Sequence, residues 1–274
     1  MAKKNKITLL AIQMESVIGN AEKNILKTNN LLKENLSKKT ADFVFLPEVW
    51  TTGWECSVFN DCAEDINSAK SISMLKSVAS KYKTNIIGGS VILKDGNGNY
   101  TNTCPVINRK GELVCTYNKS HLFSYYGCDE GKYITAGKNP VMVNLDGIKI
   151  GLSICYDIRF PELYRAYRIA GADLMVNAAA WGASKKIPWD SMTTSRAVEN
   201  QTYFVALTQT GMLKDGSKNL GHSMIIDYKG EVLSEINQKE GGFYAEIDLE
   251  EMYKFRDKCT ILKDIKKSYE VEEK

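Results

Sequence analysis

The sequence predicts an α/β fold in which mixed β-sheets are covered by helices. Three observations carry this. Apolar, strand-like runs alternate with amphipathic helical runs in both halves of the chain. Hairpin signals sit between several of the runs. The two halves share an outline of strand, helix, strand, and so many apolar strands suit two sheets stacked face to face with helices outside. No low-complexity linker and no short repeat divides the 274 residues, so one domain is expected.

In chain order, Ile7 to Met14 is apolar and strand-like, and Gly19-Asn20 turns into a helix over 21–38 with Ile25, Leu32 and Leu36 on one face. Asp42 to Glu48 is a short, fully apolar strand that ends in a carboxylate. A polar loop with Trp54 and Cys56 leads to a second amphipathic helix over 68–82. Residues 85–92 read as one strand, Asp95 to Asn99 as a hairpin turn, and 100–107 as the return strand. Leu113 to Tyr117 is a strand that runs into Asn118-Lys119-Ser120-His121, and 124–138 is loop. Ile148, Ile150, Leu152 and Ile154 alternate as in a half-buried strand, then Cys155 precedes a helix that Pro161 opens and Gly171 ends. Residues 173–180 form another buried strand, 189–200 a helix and 203–208 a strand. Two more strands, 221–227 and 242–247, lie around a turn at Lys229-Gly230. Residues 249–274 are charged and weakly amphipathic, an arm with little core of its own.

Bulk properties exclude several classes. A net charge of +3, from 36 basic and 33 acidic residues, gives no argument for nucleic acid or an anionic membrane surface as partner. The basic N-terminal start leads into an apolar run that Gln13 and Glu15 break, which reads as a first strand and not a signal peptide. No run approaches the roughly 20 apolar residues of a membrane span. Seven scattered cysteines, with no C-x-x-C, argue against a disulfide framework or a zinc site, and a reducing cytoplasm is the expected compartment. A redox thiol protein is disfavoured for the same want of a resolving partner. With only two histidines, a histidine-rich metal centre is not expected.

Three polar residues each close an apolar strand: Glu48, Lys119 and Cys155. Reactive groups of α/β sheets gather just beyond strand ends. Taken singly, a Glu after Pro or a Lys before Ser-His is ordinarily a solvated surface residue, and a free Cys ordinarily packs as a small hydrophobe. Together they are a sufficient set for acyl transfer to a thiol with loss of ammonia. The thiol attacks as thiolate, a carboxylate takes and returns the proton, and an ammonium holds the developing oxyanion. His121 reads as a packing or hydrogen-bonding residue beside Lys119, and His222 as a buried strand residue.

These blocks resemble a known family. Leu46-Pro47-Glu48, Lys119-Ser-His-Leu-Phe and Gly151-Leu-Ser-Ile-Cys-Tyr-Asp-Ile-Arg-Phe-Pro-Glu-Leu are similar to the three signature blocks of the nitrilase superfamily, the carbon–nitrogen hydrolases. They come in order at spacings of 71 and 36 residues, and Arg196-Ala-Val-Glu-Asn-Gln and Gly221-His-Ser-Met-Ile-Ile-Asp resemble later family blocks. The resemblance implies a four-layer αββα sandwich, with Cys155 as nucleophile, Glu48 as general base and Lys119 as stabiliser of the tetrahedral intermediate. It implies a second glutamate in the loop after the lysine, which Glu130 matches, and the Tyr156 backbone N–H as a further oxyanion donor. It implies no metal and no organic cofactor, and a homodimer or higher homo-oligomer with the arm at 250–274 reaching a partner subunit.

Leu46-Pro-Glu-Val-Trp-Thr-Thr-Gly-Trp and Cys155-Tyr-Asp-Ile-Arg-Phe-Pro-Glu-Leu are most similar to the ω-amidases, which cleave the terminal amide of dicarboxylic acid monoamides such as 2-oxoglutaramate. In such a site Arg159 would pair with the distal carboxylate, for which a guanidinium fork is suited. Trp181 and Tyr156 complete the expected substrate-binding set. The sequence departs from relatives at Pro188-Trp189, where His-Trp is usual, at Thr194, where arginine is usual, and in the loop at 181–184. These departures leave substrate identity open to an amidase acting on deaminated glutathione, or to another carbon–nitrogen hydrolase acting on N-carbamoyl amides or nitriles, although Tyr156-Asp-Ile-Arg-Phe resembles amidases more closely than nitrilases. A non-catalytic binding protein on the same fold is disfavoured by the complete Glu48, Lys119 and Cys155 set.

Overall fold

The protein is described here by a computed structural model, which covers residues 6–125, 128–266 and 268–274. The basic N-terminal start at 1–5, and Tyr126 and Gly127 of the loop at 124–138, lie outside the described residues, as does Lys267 of the arm.

The first half runs β1 (Lys6–Gln13), α1 (Ala21–Lys38), β2 (Phe43–Phe45), β3 (Glu64–Asp65), α2 (Lys70–Tyr82), β4 (Asn85–Ile87), β5 (Val91–Lys94), β6 (Tyr100–Ile107) and β7 (Leu113–Asn118). The second runs β8 (Met142–Leu145), β9 (Ile148–Ile154), α3 (Pro161–Ile169), β10 (Leu174–Ala179), α4 (Lys186–Asn200) and β11 (Tyr203–Thr208). It closes with β12 (Ser223–Ile226), β13 (Val232–Ile236), β14 (Gly241–Asp248) and α5 (Leu249–Lys258). One sheet has the order β14-β1-β2-β4-β6-β5-β3, with β7 also on β6, and the other β13-β12-β11-β10-β9-β8.

Strand alternation builds the layers. In β1 and β2, Leu9, Ala11, Phe43 and Phe45 face inward and share one core with Ile150, Leu152, Val176 and Val205 of the second sheet. Their neighbours Leu10, Ile12 and Val44 face the other way and pack with Leu32 and Leu36 of α1 and Leu75 of α2. On the far side of the second sheet, Leu163, Tyr164 and Tyr167 of α3 and Trp189 and Ala197 of α4 join the shared core. The result is helices, sheet, sheet, helices: the four-layer αββα sandwich. Parallel β1, β2 and β4 are buried on both faces, which is why 42–48 reads as a continuous apolar run.

Four expectations need correction. Residues 85–92 are two strands, because Gly88 and Gly89 break them. A Cβ on Gly88 would stand 2.8 Å from the Pro105 carbonyl oxygen, and Gly89 has φ +61°. The turn at Lys229-Gly230 joins β12 to β13, a largely exposed edge strand, while β14 crosses to the other sheet beside β1. β8 was not expected at all. The segment 249–258 is not a coreless arm. Leu249 and Met252 are fully buried, and Arg256 donates to the carbonyls of Gln201 (2.8 Å) and Ala172 (3.0 Å). His222 precedes β12 rather than lying within it and is only partly buried, with Asp190 3.3 Å away.

Candidate active site

Each sequence-predicted triad residue stands where a strand stops, and the strands aim them at one point. Glu48 follows β2 by way of Leu46-Pro47 and is completely buried. Its Oε1 accepts from Lys119 Nζ (2.8 Å) and from Asn102 Nδ2 of β6 (3.0 Å). Its Oε2 accepts from the Ala180 N–H (2.9 Å), and its backbone carbonyl from Gln209 Nε2 (2.6 Å). Glu48 is therefore fixed from both sheets. Burial pushes its carboxyl above the ordinary glutamate value; the Lys119 ammonium opposes this and the Glu130 charge adds to it.

Lys119 lies one residue past β7. Its backbone N–H donates to the Asn102 carbonyl (2.9 Å), and its carbonyl accepts from Gly137 N–H (2.8 Å). Gly137 is required there because a Cβ would collide with the Asn118 carbonyl. The buried ammonium also meets Glu130 at 2.8 and 3.0 Å and faces the Trp54 ring at 5.1 Å. Burial acts to discharge it, but the carboxylates of Glu130 and Glu48 outweigh burial and hold it well above the usual lysine value. Glu130 opens a short turn, Glu130–Lys132, that Asp129 caps through the Gly131 N–H (3.2 Å). Glu130 Oε2 accepts from the Phe123 N–H at 2.6 Å.

Cys155 begins a helical turn, Cys155–Arg159, directly after β9. Its φ of +46° is unusual for a residue with a side chain and costs about 1–2 kcal/mol. Val49, next to Glu48, is similarly held at φ +40°, and its N–H donates to Ser90 Oγ (2.9 Å). Burial and the nearby Glu48 charge raise the Cys155 thiol well above the usual cysteine value, Lys119 opposes them, and a hydrogen bond with Glu48 adds to the rise. The surroundings of the sulfur therefore favour the protonated thiol, beside the Glu48 carboxylate.

Three residues support the site in roles that the sequence does not assign, although Asp157 and Arg196 fall within blocks that resemble the family's. Asp157, fully buried, caps the Cys155 turn by accepting from the Ile154 N–H (2.9 Å) and takes a hydrogen bond from Tyr117 OH (2.6 Å). Arg196 donates to the Ile158 carbonyl through Nε (3.2 Å) and Nη2 (2.9 Å), which holds the end of the same turn. Asn102 sits in the middle of a strand with nothing to mark it. Of the three, Asp157 alone carries a local signal, an acidic residue at the third position of a helical turn.

Cys155 opens onto a cavity of about 780 Å³ that Trp54, Phe123, Tyr156, Arg159 and Trp181 also line. The Arg159 guanidinium lies 5.2 Å from the Trp181 ring and 5.9 Å from the Tyr156 ring. Its Nε is buried without a hydrogen-bond partner. All seven residues expected to act on or bind substrate thus gather at one place: Glu48, Lys119, Cys155 and Glu130 as a cluster, and Tyr156, Arg159 and Trp181 on the cavity wall. Among the described residues, no group of three or more His, Cys, Asp and Glu side chains is placed to hold a metal ion, and no helix is long and apolar enough to cross a membrane.

Comparison with known proteins gives this arrangement a family. Residues 8–257 match the family described as carbon-nitrogen hydrolase. A 2-oxoglutaramate amidase of Bacillus subtilis is 36% identical over 263 residues, 96% of this chain and 98% of that one. The omega-amidase NIT2 of Bos taurus is 31% identical over 98% of both chains. The crystal structure of Saccharomyces cerevisiae Nit3, a member of branch 10 of the nitrilase superfamily, superposes with a TM-score of 0.86 at 25% identity, over 93% of this chain and 95% of that one. The chain belongs to the carbon–nitrogen hydrolase family, the nitrilase superfamily, and is an enzyme that acts on carbon–nitrogen bonds other than peptide bonds.

Proposed function

We propose that the protein is an ω-amidase, which cleaves the terminal amide of a short dicarboxylic acid monoamide such as 2-oxoglutaramate or 2-oxosuccinamate. The observation that carries the reading is the buried Glu48–Lys119–Glu130 cluster gathered beside the Cys155 thiol.

In this reading Glu48 takes the thiol proton as Cys155 Sγ attacks the amide carbon. The Lys119 ammonium and the Tyr156 N–H hold the tetrahedral oxyanion. Glu48 then gives the proton to the leaving nitrogen, ammonia departs, and a thioester remains. Water, deprotonated by Glu48, adds to the thioester and releases the carboxylate product with the free thiol. Glu130 keeps Lys119 charged and aimed, so its role is positioning.

The substrate assignment rests on Arg159. A half-buried guanidinium with an unpartnered Nε, 5.2 Å from the Trp181 ring and 5.9 Å from the Tyr156 ring on the cavity wall, suits a carboxylate at the far end of the substrate. The named activities of the Bacillus subtilis and Bos taurus relatives support the same class.

A single domain, a cytoplasmic location and a homodimer belong to the same proposal. Ile261, Ile265, Tyr269 and Val271, beyond α5 in the segment expected as an arm, are exposed, which fits an arm that covers them on a partner subunit.

The test is an ammonia-release screen over 2-oxoglutaramate, 2-oxosuccinamate, deaminated glutathione, glutamine, an N-carbamoyl amine and a simple nitrile, with Cys155→Ala as control. Preference for the two monoamides, lost in the variant, is expected. Wild-type activity in Cys155→Ala would sink the mechanism, and preference for deaminated glutathione would overturn the substrate.

A further inference from the structure

We infer that Cys56 and Cys128 form a redox-active dithiol, which a hydroperoxide converts reversibly to a disulfide in the wall of the active-site cavity. The pair stands 72 residues apart in sequence, with the sulfurs 3.0 Å from one another. The cavity that Cys155 lines is lined by both of them. The fold thus supplies a resolving partner that no C-x-x-C spacing announces.

The position of each cysteine matters. Cys56 opens a short turn, Cys56–Val58, two residues after Trp54, whose ring faces Lys119 Nζ. Cys128 lies two residues before Glu130, which grips the same ammonium. A disulfide has a bond length of about 2.05 Å, so the sulfurs need to close by only about 1 Å. The bond would tie the loop after Glu48 to the loop that carries Glu130.

The two thiols are unequal. Cys128 is partly exposed while Cys56 is buried. Hydrogen bonding from the Cys56 thiol lowers the Cys128 value, and the same contact, with burial, raises that of Cys56. Cys128 is therefore the attacking thiolate. It attacks the peroxide oxygen, the O–O bond breaks, and Cys128 becomes a sulfenic acid as the peroxide leaves as hydroxide or alkoxide. The Cys56 sulfur then attacks the Cys128 sulfur, the S–O bond breaks, and water leaves with the Cys56 proton. The sulfurs lose two electrons in total and the peroxide gains them. A dithiol reductant reverses the step by exchange.

The experiment titrates thiols on the denatured full chain after brief hydrogen peroxide treatment, with peptide mapping. Seven thiols are expected to fall to five, with a Cys56–Cys128 linked peptide, and dithiothreitol restores seven. In a Cys155→Ala background, which removes one thiol, six fall to four. Cys56→Ser and Cys128→Ser each abolish the linked peptide. The inference is overturned if the linked peptide is absent from wild type, if it joins other cysteines, or if the loss of thiols disappears in the Cys155→Ala background.

Discussion

One oxygen of the buried Asp157 carboxylate, Oδ1, holds His121 by two bonds, from its backbone N–H at 3.0 Å and from its ring Nδ1 at 2.7 Å. The other oxygen holds the Ile154 N–H and Tyr117 OH. The turn that presents Cys155 is thereby tied to the strand end that presents Lys119. His121, stacked on Phe160 at 3.7 Å, completes the tie. Two elements 36 residues apart are held in register by one carboxylate that touches no substrate.

Asp157→Asn tests this tie. An amide offers one acceptor oxygen where four donors converge, so a donor is left facing an NH2 group. Hydrogen bonds to a charged group contribute about 1.5–3 kcal/mol each, and a loss of about 2–4 kcal/mol in unfolding free energy is expected, read from the denaturant midpoint. Because Cys155 and Lys119 drift apart, kcat is expected to fall by about 10-fold to 100-fold with KM nearly unchanged. A large rise in KM with kcat intact would refute the positioning role.

Glu48 predicts opposite pH trends for activity and stability. Burial raises its carboxyl above the ordinary 4.5. In the proposed role of base it must be ionised, so kcat/KM is expected to fall as pH drops through a midpoint above 4.5, and Glu48→Gln to abolish turnover. Stability runs the other way. A raised folded value means that the fold favours the protonated form; this contribution is complete below 4.5 and is lost as pH rises through the folded value. The stability of wild type relative to Glu48→Gln therefore declines as pH rises through that window. Chemical denaturation at several pH values checks it, and a difference that grows with pH would contradict it.

What the sequence reveals here follows from burial. Glu48 and Cys155 stand out because each follows a buried apolar strand, where a polar or reactive side chain is conspicuous, whereas Lys119 follows the largely half-buried β7 and shows mainly through its place in the Lys-Ser-His-Leu-Phe block. Asn102 makes an equally direct bond to Glu48 yet is hidden, since a polar residue within a strand is ordinarily on its solvated face. β13 is hidden for the converse reason: as a five-residue, largely exposed edge strand, its Val232, Leu233 and Ile236 do not alternate cleanly with polar residues. The Cys56–Cys128 contact depends on two loops meeting across the cavity mouth, and no local pattern encodes that.

Gly89→Ala is the sharpest structural test near the base. Gly89 has φ +61°, and a Cβ there would lie 2.5 Å from the Leu46 carbonyl oxygen and closer still to that of Pro47. The left-handed conformation costs alanine about 1–2 kcal/mol, and the overlap adds about 1–3 kcal/mol. Relief requires Pro47 to move, which carries Glu48 with it, so loss of stability and loss of turnover are expected together. Gly96→Ala, at a hairpin position with open space around it, is the control and should stay within about 0.5 kcal/mol of wild type. A Gly89→Ala protein as stable as the Gly96→Ala control would contradict the reading.

Arg159 separates substrate recognition from chemistry. If its guanidinium holds the distal carboxylate, Arg159→Met removes a charge-assisted, bidentate interaction while keeping an unbranched apolar stem against Trp181 and Tyr156. Such a contact contributes about 1.5–3 kcal/mol, which is about 10-fold to 150-fold in kcat/KM. The loss should fall on 2-oxoglutaramate and be absent for a simple aliphatic amide of the same length, whose already slow turnover has no carboxylate to lose. Arg159→Lys should recover only part of the loss, because an ammonium lacks the planar fork. Equal losses on both substrates would instead mean that Arg159 braces the Cys155 turn. The same substitution would then also lower the unfolding free energy by more than the loss of its contacts with the Trp181 and Tyr156 rings.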